Sequence, residues 1–193
     1  MQISQKHVGL IIVTVGMVGM IWILWPILRA EDSASSFAVD EVRDACAVLS
    51  VYDGDTFACD LNKNDVIDKP EEQIRMLGID TPEMHYSRKN KTHGSKNPTN
   101  EPWAKEASQT LTTLVEHKTV YLEYDLERHD PYGRTMAYVY LTADAQESIG
   151  EMLLTKGYAR TLFLGENKKR AKRYYEAEEQ ARLQKHGLWS AKK

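Results

Sequence analysis

The chain has 193 residues, a length typical of one domain or of one domain with an extension. Charged residues make up 27% of it and hydrophobic residues 42%, which excludes a mainly disordered chain. Residues 1–29 hold two of the 25 basic residues and none of the 28 acidic ones, so the remainder has a net charge of about −5 and its overall charge does not indicate nucleic-acid binding.

The N-terminal 29 residues differ from the rest of the chain. No charged side chain occurs from Val8 to Leu28, and these 21 residues match a helix that crosses a hydrocarbon core of roughly 30 Å. We therefore predict a membrane anchor at residues 1–29 and a linker at residues 30–44, with a cleaved signal peptide as the alternative. A weak positive-inside bias places the folded domain outside the cytoplasm, in the periplasm or the cell exterior. With signal cleavage it would be secreted.

Residues 45–61 are predicted to form two strands joined by a hairpin turn at Asp53-Gly54-Asp55, because strand-forming residues flank this turn signal. Cys46 and Cys59 lie on the two strands. With the turn centred on its glycine, Cys59 falls opposite Leu49 and not opposite Cys46. We therefore expect two unpaired thiols, although a β-bulge would correct the register and permit a disulfide.

The rest of the chain alternates between short strands and helices. We predict strands at 73–79, 119–124 and 134–141, and helices at 102–117, 149–156 and 167–185. Residues 84–102 form a long polar loop with several basic side chains, which either attracts a polynucleotide or is an ordinary solvated loop. Five strands with interspersed helices fit an α+β fold, in which helices pack outside a small β-barrel.

Two acidic clusters with an arginine between them are the first candidates for chemistry. Asp55 belongs to the hairpin turn, Asp80 follows the third strand, and Arg75 lies between them in the sequence. Carboxylates from separate strand ends supply the oxygen ligands that a hard cation such as Ca²⁺ prefers. A planar guanidinium donates two hydrogen bonds to a phosphate. Taken alone, Asp-Gly-Asp is also an ordinary turn sequence.

Three segments resemble the staphylococcal nuclease (thermonuclease) family: Val51 to Thr56, Ile74 to Glu83, and Asp130 to Arg134. They occur in the order found in that family, and the resemblance extends from about Cys46 to Ser190. It implies a five-stranded OB-type barrel with three helices packed outside, and a nuclease domain at residues 45–193.

The resemblance also implies how a metal and a water would be held. Asp55, Asp80 and the backbone carbonyl of Thr81 would bind Ca²⁺, with waters completing the shell. Glu83 would act as general base on the attacking water. Asp53 would be a turn residue or support the ligands from behind.

Other residues implied by the resemblance would contact the substrate. Arg75 and Arg134 would bind the phosphate and stabilise the charge of the transition state. Tyr132 would donate a hydrogen bond near that phosphate. Phe163 would stack on a base in place of a family tyrosine, and Gly165 stands where a second tyrosine is usual.

Together these expectations describe a monomeric, membrane-anchored, Ca²⁺-dependent endonuclease. It would hydrolyse DNA and RNA, preferring single strands, and would leave 3′-phosphate ends. The alternative is a catalytically silent OB-type module, tethered to a membrane, that binds nucleic acid or a protein. Such a module would be expected to lack at least one of the residues implied in the reaction, but all five are present: Asp55, Arg75, Asp80, Glu83 and Arg134.

Overall fold

The computed structural model describes residues 43–84 and 100–190. The predicted anchor, nearly all of the predicted linker, and residues 85–99 of the predicted basic loop lie outside the described residues. Within the described ranges, none of the helices has the length and apolar composition needed to cross a bilayer.

Five short strands close into a barrel, as predicted. In chain order, the strands of the described residues are β1 (Asp44–Val51), β2 (Thr56–Asp60), β3 (Gln73–Met76), β4 (Gly78–Asp80), β5 (Thr119–Glu123), β6 (Thr135–Tyr140) and β7 (Arg160–Leu162). The barrel runs in the order β1, β2, β3, β6, β5. Its neighbours are antiparallel except for β3 and β6, which pair in parallel.

Apolar side chains fill the barrel because alternate residues of a strand point to the same face. These inward residues are buried in every strand of the barrel, and they include Cys46, Val48, Phe57, Cys59, Ile74, Met76, Val120, Leu122, Ala137 and Val139. The period-2 pattern that predicted the strands is therefore the pattern that builds the core.

The predicted third strand, residues 73–79, is interrupted, so this prediction was wrong in one respect. Gly78 has φ 76°, a value that glycine adopts without strain. Strand β3 ends at Met76, and β4 leaves the barrel to pair with β7, a strand that we did not predict. A Cβ atom on Gly78 would lie 2.7 Å from the ring of Phe163. The break moves Asp80 out of the barrel sheet and onto a separate two-stranded sheet.

The expectation of two unpaired thiols was also wrong, because Cys46 and Cys59 are joined by a disulfide. The register between β1 and β2 shifts between Val48 and Ser50, and this bulge places Cys59 opposite Val48. Cys46 lies two residues from Val48 and therefore on the same face, with the two cysteine Cα atoms 5.8 Å apart.

Three helices are present in the described residues, as predicted: α1 (Ala104–Val115), α2 (Ile149–Thr155) and α3 (Ala171–Leu183). Helix α1 begins after Trp103, whose φ of 72° is not helical, so Pro102 precedes the helix. Helix α2 begins with a capping box in which Ser148 and Glu151 satisfy each other's backbone N–H groups. Helix α3 starts later than the predicted residue 167.

A buried carboxylate, Glu123 at the end of β5, joins the barrel to the segment before α3. Its side chain accepts hydrogen bonds from Arg170 at 2.6 Å and from the Tyr140 hydroxyl at 2.8 Å, and Lys169 lies 3.1 Å away. Burial alone would raise the pKa of Glu123, but these donors outweigh it and lower the pKa to about 2.

Candidate active site

Asp55 is held rigidly at the end of the hairpin turn. Only 6% of it is exposed. The Thr81 backbone N–H donates to its Oδ2 at 3.0 Å, and the Thr81 hydroxyl donates at 3.2 Å. The Thr56 hydroxyl donates to its Oδ1 at 3.0 Å. Asp53 accepts the Asp55 backbone N–H at 3.0 Å, which confirms it as a turn residue.

Gly54 lets the turn approach the cleft closely. A Cβ atom at this position would lie 2.6 Å from the Thr81 hydroxyl oxygen and 2.8 Å from the Ala107 side chain. Both distances are shorter than van der Waals contact, so a larger residue would push the turn away from α1 and from Thr81. The glycine therefore fixes the position of the Asp55 carboxylate.

Arg75 joins two of the predicted metal ligands. Its Nη2 donates to Asp80 Oδ1 at 3.1 Å, and its Nη1 forms an ion pair with Asp55 Oδ2. The Arg75 side chain is 17% exposed and the Asp80 side chain 51% exposed, so the cluster is buried on one side and open to solvent on the other. The structure thus brings Asp55, Arg75, Asp80 and Thr81 into direct contact.

The carboxylates of this cluster are perturbed by burial and by one another. Burial, followed by the charge of Asp55, raises the pKa of Asp53 to about 6. Burial also raises the pKa of Asp80, the Arg75 guanidinium opposes this rise, and Asp55 adds to it.

Glu83 directly follows Pro82, one of the residues that line a cleft of about 310 Å³. Its carboxylate is exposed, while its backbone is fixed by Glu101. The Glu83 N–H donates to Glu101 Oε2 and the Glu101 N–H donates to the Glu83 carbonyl, both at 3.2 Å. The cleft is lined by Asp80, Thr81, Pro82, Glu101, Pro102, Arg160 and Leu188.

Arg134 belongs to a second cluster, just before β6. Its Nε donates to Asp130 Oδ2 at 2.6 Å. The backbone N–H groups of Tyr132 and Arg134 both donate to Asp130 Oδ1, at 2.9 and 3.0 Å. Asp130 therefore holds both the turn and the guanidinium, and it leaves the Nη groups of Arg134 to other partners.

Arg75 lies on β3, and Arg134 directly precedes β6, the strand that pairs with β3. Ile74 is opposite Thr135 in the parallel pair of β3 and β6, and both side chains are buried inside the barrel. Arg75 follows Ile74 and Arg134 precedes Thr135, so both arginines point away from the interior. Their guanidinium groups nevertheless have different partners, since Arg75 pairs with Asp55 and Asp80 while Arg134 pairs with Asp130.

The two predicted substrate-binding aromatic residues differ in exposure. Tyr132 is 78% exposed, and the Arg134 guanidinium lies 5.6 Å from its ring centroid. Phe163 is half-buried just after β7, where its ring packs over Gly78 and against Tyr174.

Three side chains of this region were missed in the sequence. Glu101 and Arg160 come from distant segments, and only the pairing of β4 with β7 brings Arg160 opposite Asp80. No local pattern indicates such a pairing. Asp130 is the third, although Asp-Pro-Tyr-Gly is a sequence typical of a turn closed by the aspartate side chain.

The donor set suits a hard cation. In the residues that the structure describes, no three or more His, Cys, Asp or Glu side chains are grouped to hold a metal ion. Two carboxylates, those of Asp55 and Asp80, do converge on one cation, the Arg75 guanidinium. With the carbonyl oxygen of Thr81 they offer only oxygen donors, which Ca²⁺ accepts in flexible geometry together with waters.

Comparison with known proteins shows which family the chain belongs to. The family model described as "Staphylococcal nuclease homologue" matches residues 73–191, more than half of the chain. The chain is 36% identical over 143 residues to the Thermonuclease of Staphylococcus hyicus, covering 74% of each protein. It is 28% identical over 172 residues to the Thermonuclease of Staphylococcus intermedius, covering 89% of this chain and 92% of that protein. It is 33% identical over 142 residues to the SPbeta prophage-derived endonuclease YokF of Bacillus subtilis, covering 72% of this chain and 41% of that protein. The resemblance seen in the three sequence segments is therefore confirmed, and the chain belongs to the staphylococcal nuclease family.

Proposed function

We propose that this chain is a Ca²⁺-dependent endonuclease that hydrolyses phosphodiester bonds of DNA and RNA, with a preference for single strands. The observation that carries the proposal is the contact of one guanidinium, that of Arg75, with two carboxylates beside an open cleft. The names of the relatives, thermonuclease and endonuclease, support the same activity.

In this proposal, Asp55, Asp80 and the Thr81 carbonyl hold Ca²⁺, which neutralises charge on a phosphate oxygen when it is bound. Arg75 and Arg134 bind the phosphate through their Nη groups. Glu83 orients a water and takes its proton as the water oxygen bonds to phosphorus. The bond from phosphorus to the 5′ oxygen breaks, so the products are a 3′-phosphate and, once that oxygen is protonated, a 5′-hydroxyl.

The test compares cleavage by three proteins: the wild-type chain, a Glu83→Gln variant and a Glu106→Gln control that alters an exposed glutamate on α1. Each full-length protein, purified in mild detergent, is incubated with an end-labelled single-stranded oligonucleotide and either Ca²⁺ or a chelator. We expect cleavage that needs Ca²⁺, falls by roughly 10²-fold or more in Glu83→Gln and is unchanged in Glu106→Gln.

A folded wild-type chain that binds the oligonucleotide and never cuts it would overturn the nuclease proposal. The silent binding module would then take its place. Cleavage that persists in the chelator would contradict the metal dependence alone. The chemistry of the ends is read by treating the products with a phosphatase and measuring the shift in their mobility.

We further propose that residues 1–29 anchor the chain in a membrane with the nuclease domain outside the cytoplasm and that the protein is a monomer. The uncharged stretch from Val8 to Leu28 supports the anchor. Extraction of membranes at alkaline pH should leave the chain in the pellet, and its mass should include residues 1–29. Release of a chain shortened at its N-terminus would support secretion instead.

A further inference from the structure

An exposed aromatic surface lies beside the cleft, between the end of β7 and helix α3. Tyr175 of α3 is 55% exposed and Leu164 is 71% exposed. The rings of Phe163 and Tyr175 are 5.7 Å apart and inclined at 48°. We call these two rings the aromatic platform.

The two rings of the platform have different surroundings. Phe163 is fixed on its inner side, because its ring packs over Gly78 and its centroid lies 5.8 Å from that of the buried Tyr174. Tyr175 lies on the outer side of Phe163. Gly165, where a side chain would meet Glu127, adds nothing to cover the platform. The face available to a flat ligand is therefore that of Tyr175, with Phe163 fixing its position.

The platform is continuous with the candidate active site. Strand β7 pairs with β4, so that Arg160 is opposite Asp80 and Leu162 is opposite Gly78. Phe163 directly follows Leu162 and so lies three residues along the strand from Arg160. At a rise of about 3.3 Å per residue, this separation is on the order of 10 Å, which a nucleotide next to the reacting phosphate can span.

Charge along α3 favours one path for a phosphate backbone. Lys172 lies one turn before Tyr175 on the same side of the helix, with its side chain 89% exposed and 4.0 Å from Glu176. Glu176, directly after Tyr175, and Glu179, one turn later, are both exposed and would repel phosphates. If a base of a single-stranded polynucleotide stacks on Tyr175, the phosphates next to that base would therefore lie near Lys172 and the N-terminal end of α3.

We propose that Tyr175 stacks on an unpaired base of a single-stranded polynucleotide and that Lys172 neutralises a phosphate of the same strand. This inference rests on the proposed nuclease function and specifies how its substrate is held. An unpaired base is required because the faces of paired bases are covered by stacking within the duplex. Stacking is tolerant of sequence since every base has a flat π face.

The experiment measures binding in a chelator, so that no cleavage is needed. Fluorescence anisotropy compares a labelled mixed-sequence single strand with a strand of the same length whose nucleotides lack bases. In the full-length protein, Tyr175→Ala should weaken binding of the normal strand roughly five- to thirtyfold and leave binding of the abasic strand unchanged. Tyr175→Phe keeps the ring and should bind like wild type.

Two further variants separate stacking from charge and from folding. Leu183→Ala removes another exposed apolar side chain, 68% exposed on the same helix, and should bind both strands like wild type. Lys172→Ala should weaken binding of the normal and the abasic strand equally. It should also reduce the magnitude of the slope of log affinity against log salt by about 1. Thermal melts should match wild type, because Tyr175 is mostly exposed.

Each outcome bears on a defined proposal. If Tyr175→Ala binds the normal strand like wild type, or if wild type does not prefer the normal strand to the abasic one, the stacking inference is overturned while cleavage stands. If wild type prefers the normal strand and the preference is lost in Tyr175→Ala, yet nothing is cut with Ca²⁺, the stacking inference is supported and only the nuclease proposal fails. A wild-type chain that neither binds nor cuts overturns both.

Discussion

Arg75 Nη2 donates a hydrogen bond to Asp80 Oδ1 at 3.1 Å, which pairs a proposed phosphate-binding group with a proposed metal ligand. The same guanidinium also contacts Asp55. The single positive charge of Arg75 is therefore shared between two carboxylates. The proposed mechanism requires this pairing to loosen, because Ca²⁺ would compete with Arg75 for the carboxylates while a phosphate would compete with the carboxylates for Arg75.

This competition predicts opposite effects of one substitution on metal binding and on catalysis. Arg75→Gln should lower kcat by roughly 10²- to 10³-fold, because a donor to the transition state is lost. It should tighten Ca²⁺ binding in the absence of nucleic acid roughly tenfold, because a nearby positive charge is removed. Calorimetric titration of the full-length protein with Ca²⁺ measures the second effect.

Arg128→Gln is the matched control for Arg75→Gln. The Arg128 guanidinium lies 4.1 Å from the centre of the Tyr124 ring, and Arg128 is not among the residues that line the cleft. Its replacement should change neither kcat nor the affinity for Ca²⁺. Weaker Ca²⁺ binding in Arg75→Gln would contradict the idea that the guanidinium and the metal share the same carboxylates.

Asp130 is expected to matter for turnover without touching the substrate. It fixes the Arg134 side chain and two backbone N–H groups of the turn, so Asp130→Ala should lower kcat by up to roughly 10²-fold through a misplaced guanidinium. Asp130→Asn keeps an oxygen that can accept from the backbone N–H groups, so its kcat should lie between those of wild type and Asp130→Ala. Steady-state kinetics on a single-stranded substrate would reveal this order, and wild-type kcat in Asp130→Ala would refute the positioning role.

The sequence was most informative where the physics is local. Alternation of apolar residues predicted the barrel strands, and spacing at helical period predicted the three helices. The change of partner after Met76 was missed because strand pairing is a long-range property, and Gly78, the one local sign of a bend, was not interpreted as a break in the strand. Strand β7 and its Arg160 were missed for a related reason, since a three-residue strand has no pattern of its own. The position of Asp80 against Arg75 depends on that long-range pairing, although both residues were selected from their motifs.

Glu123 should make the stability of the fold dependent on pH in the acid range. Its pKa is lowered from an ordinary value of 4.5 to about 2. Its stabilising effect is therefore complete above about pH 4.5 and is lost as the pH falls toward 2. Glu123→Gln should lower the free energy of unfolding at neutral pH by on the order of 3 kcal/mol, because Arg170 would lose its buried charged partner.

Denaturant unfolding of wild type and Glu123→Gln at several pH values tests this expectation. The difference in free energy of unfolding between the two proteins should shrink as the pH falls from about 4.5 to about 2. Glu176→Gln replaces a carboxylate whose side chain is 63% exposed and should change stability little at any of these values. A constant difference across the range would show that charge at Glu123 is not the cause.

The disulfide between Cys46 and Cys59 should stabilise the barrel without contributing to the reaction. The two residues are separated by 13 positions, and closing a loop of this size in the unfolded chain is worth about 3 kcal/mol. A reductant should therefore lower the melting temperature of wild type and leave the double variant Cys46→Ala/Cys59→Ala unchanged. Alkylation followed by mass measurement identifies the bond, and modification of both thiols without reduction would contradict it.

Gly54 belongs to the most recognisable motif of the chain, yet its contacts serve the closure of the fold. A side chain there would collide with Thr81 and Ala107 whether or not a phosphate is ever cut. A related gene that had lost Asp55 would still need the glycine to bring its turn against the first helix. A genome survey that identifies this motif by its glycine would therefore collect inactive relatives together with active enzymes. Only the positions of Asp55, Arg75 and Asp80 would distinguish the two groups.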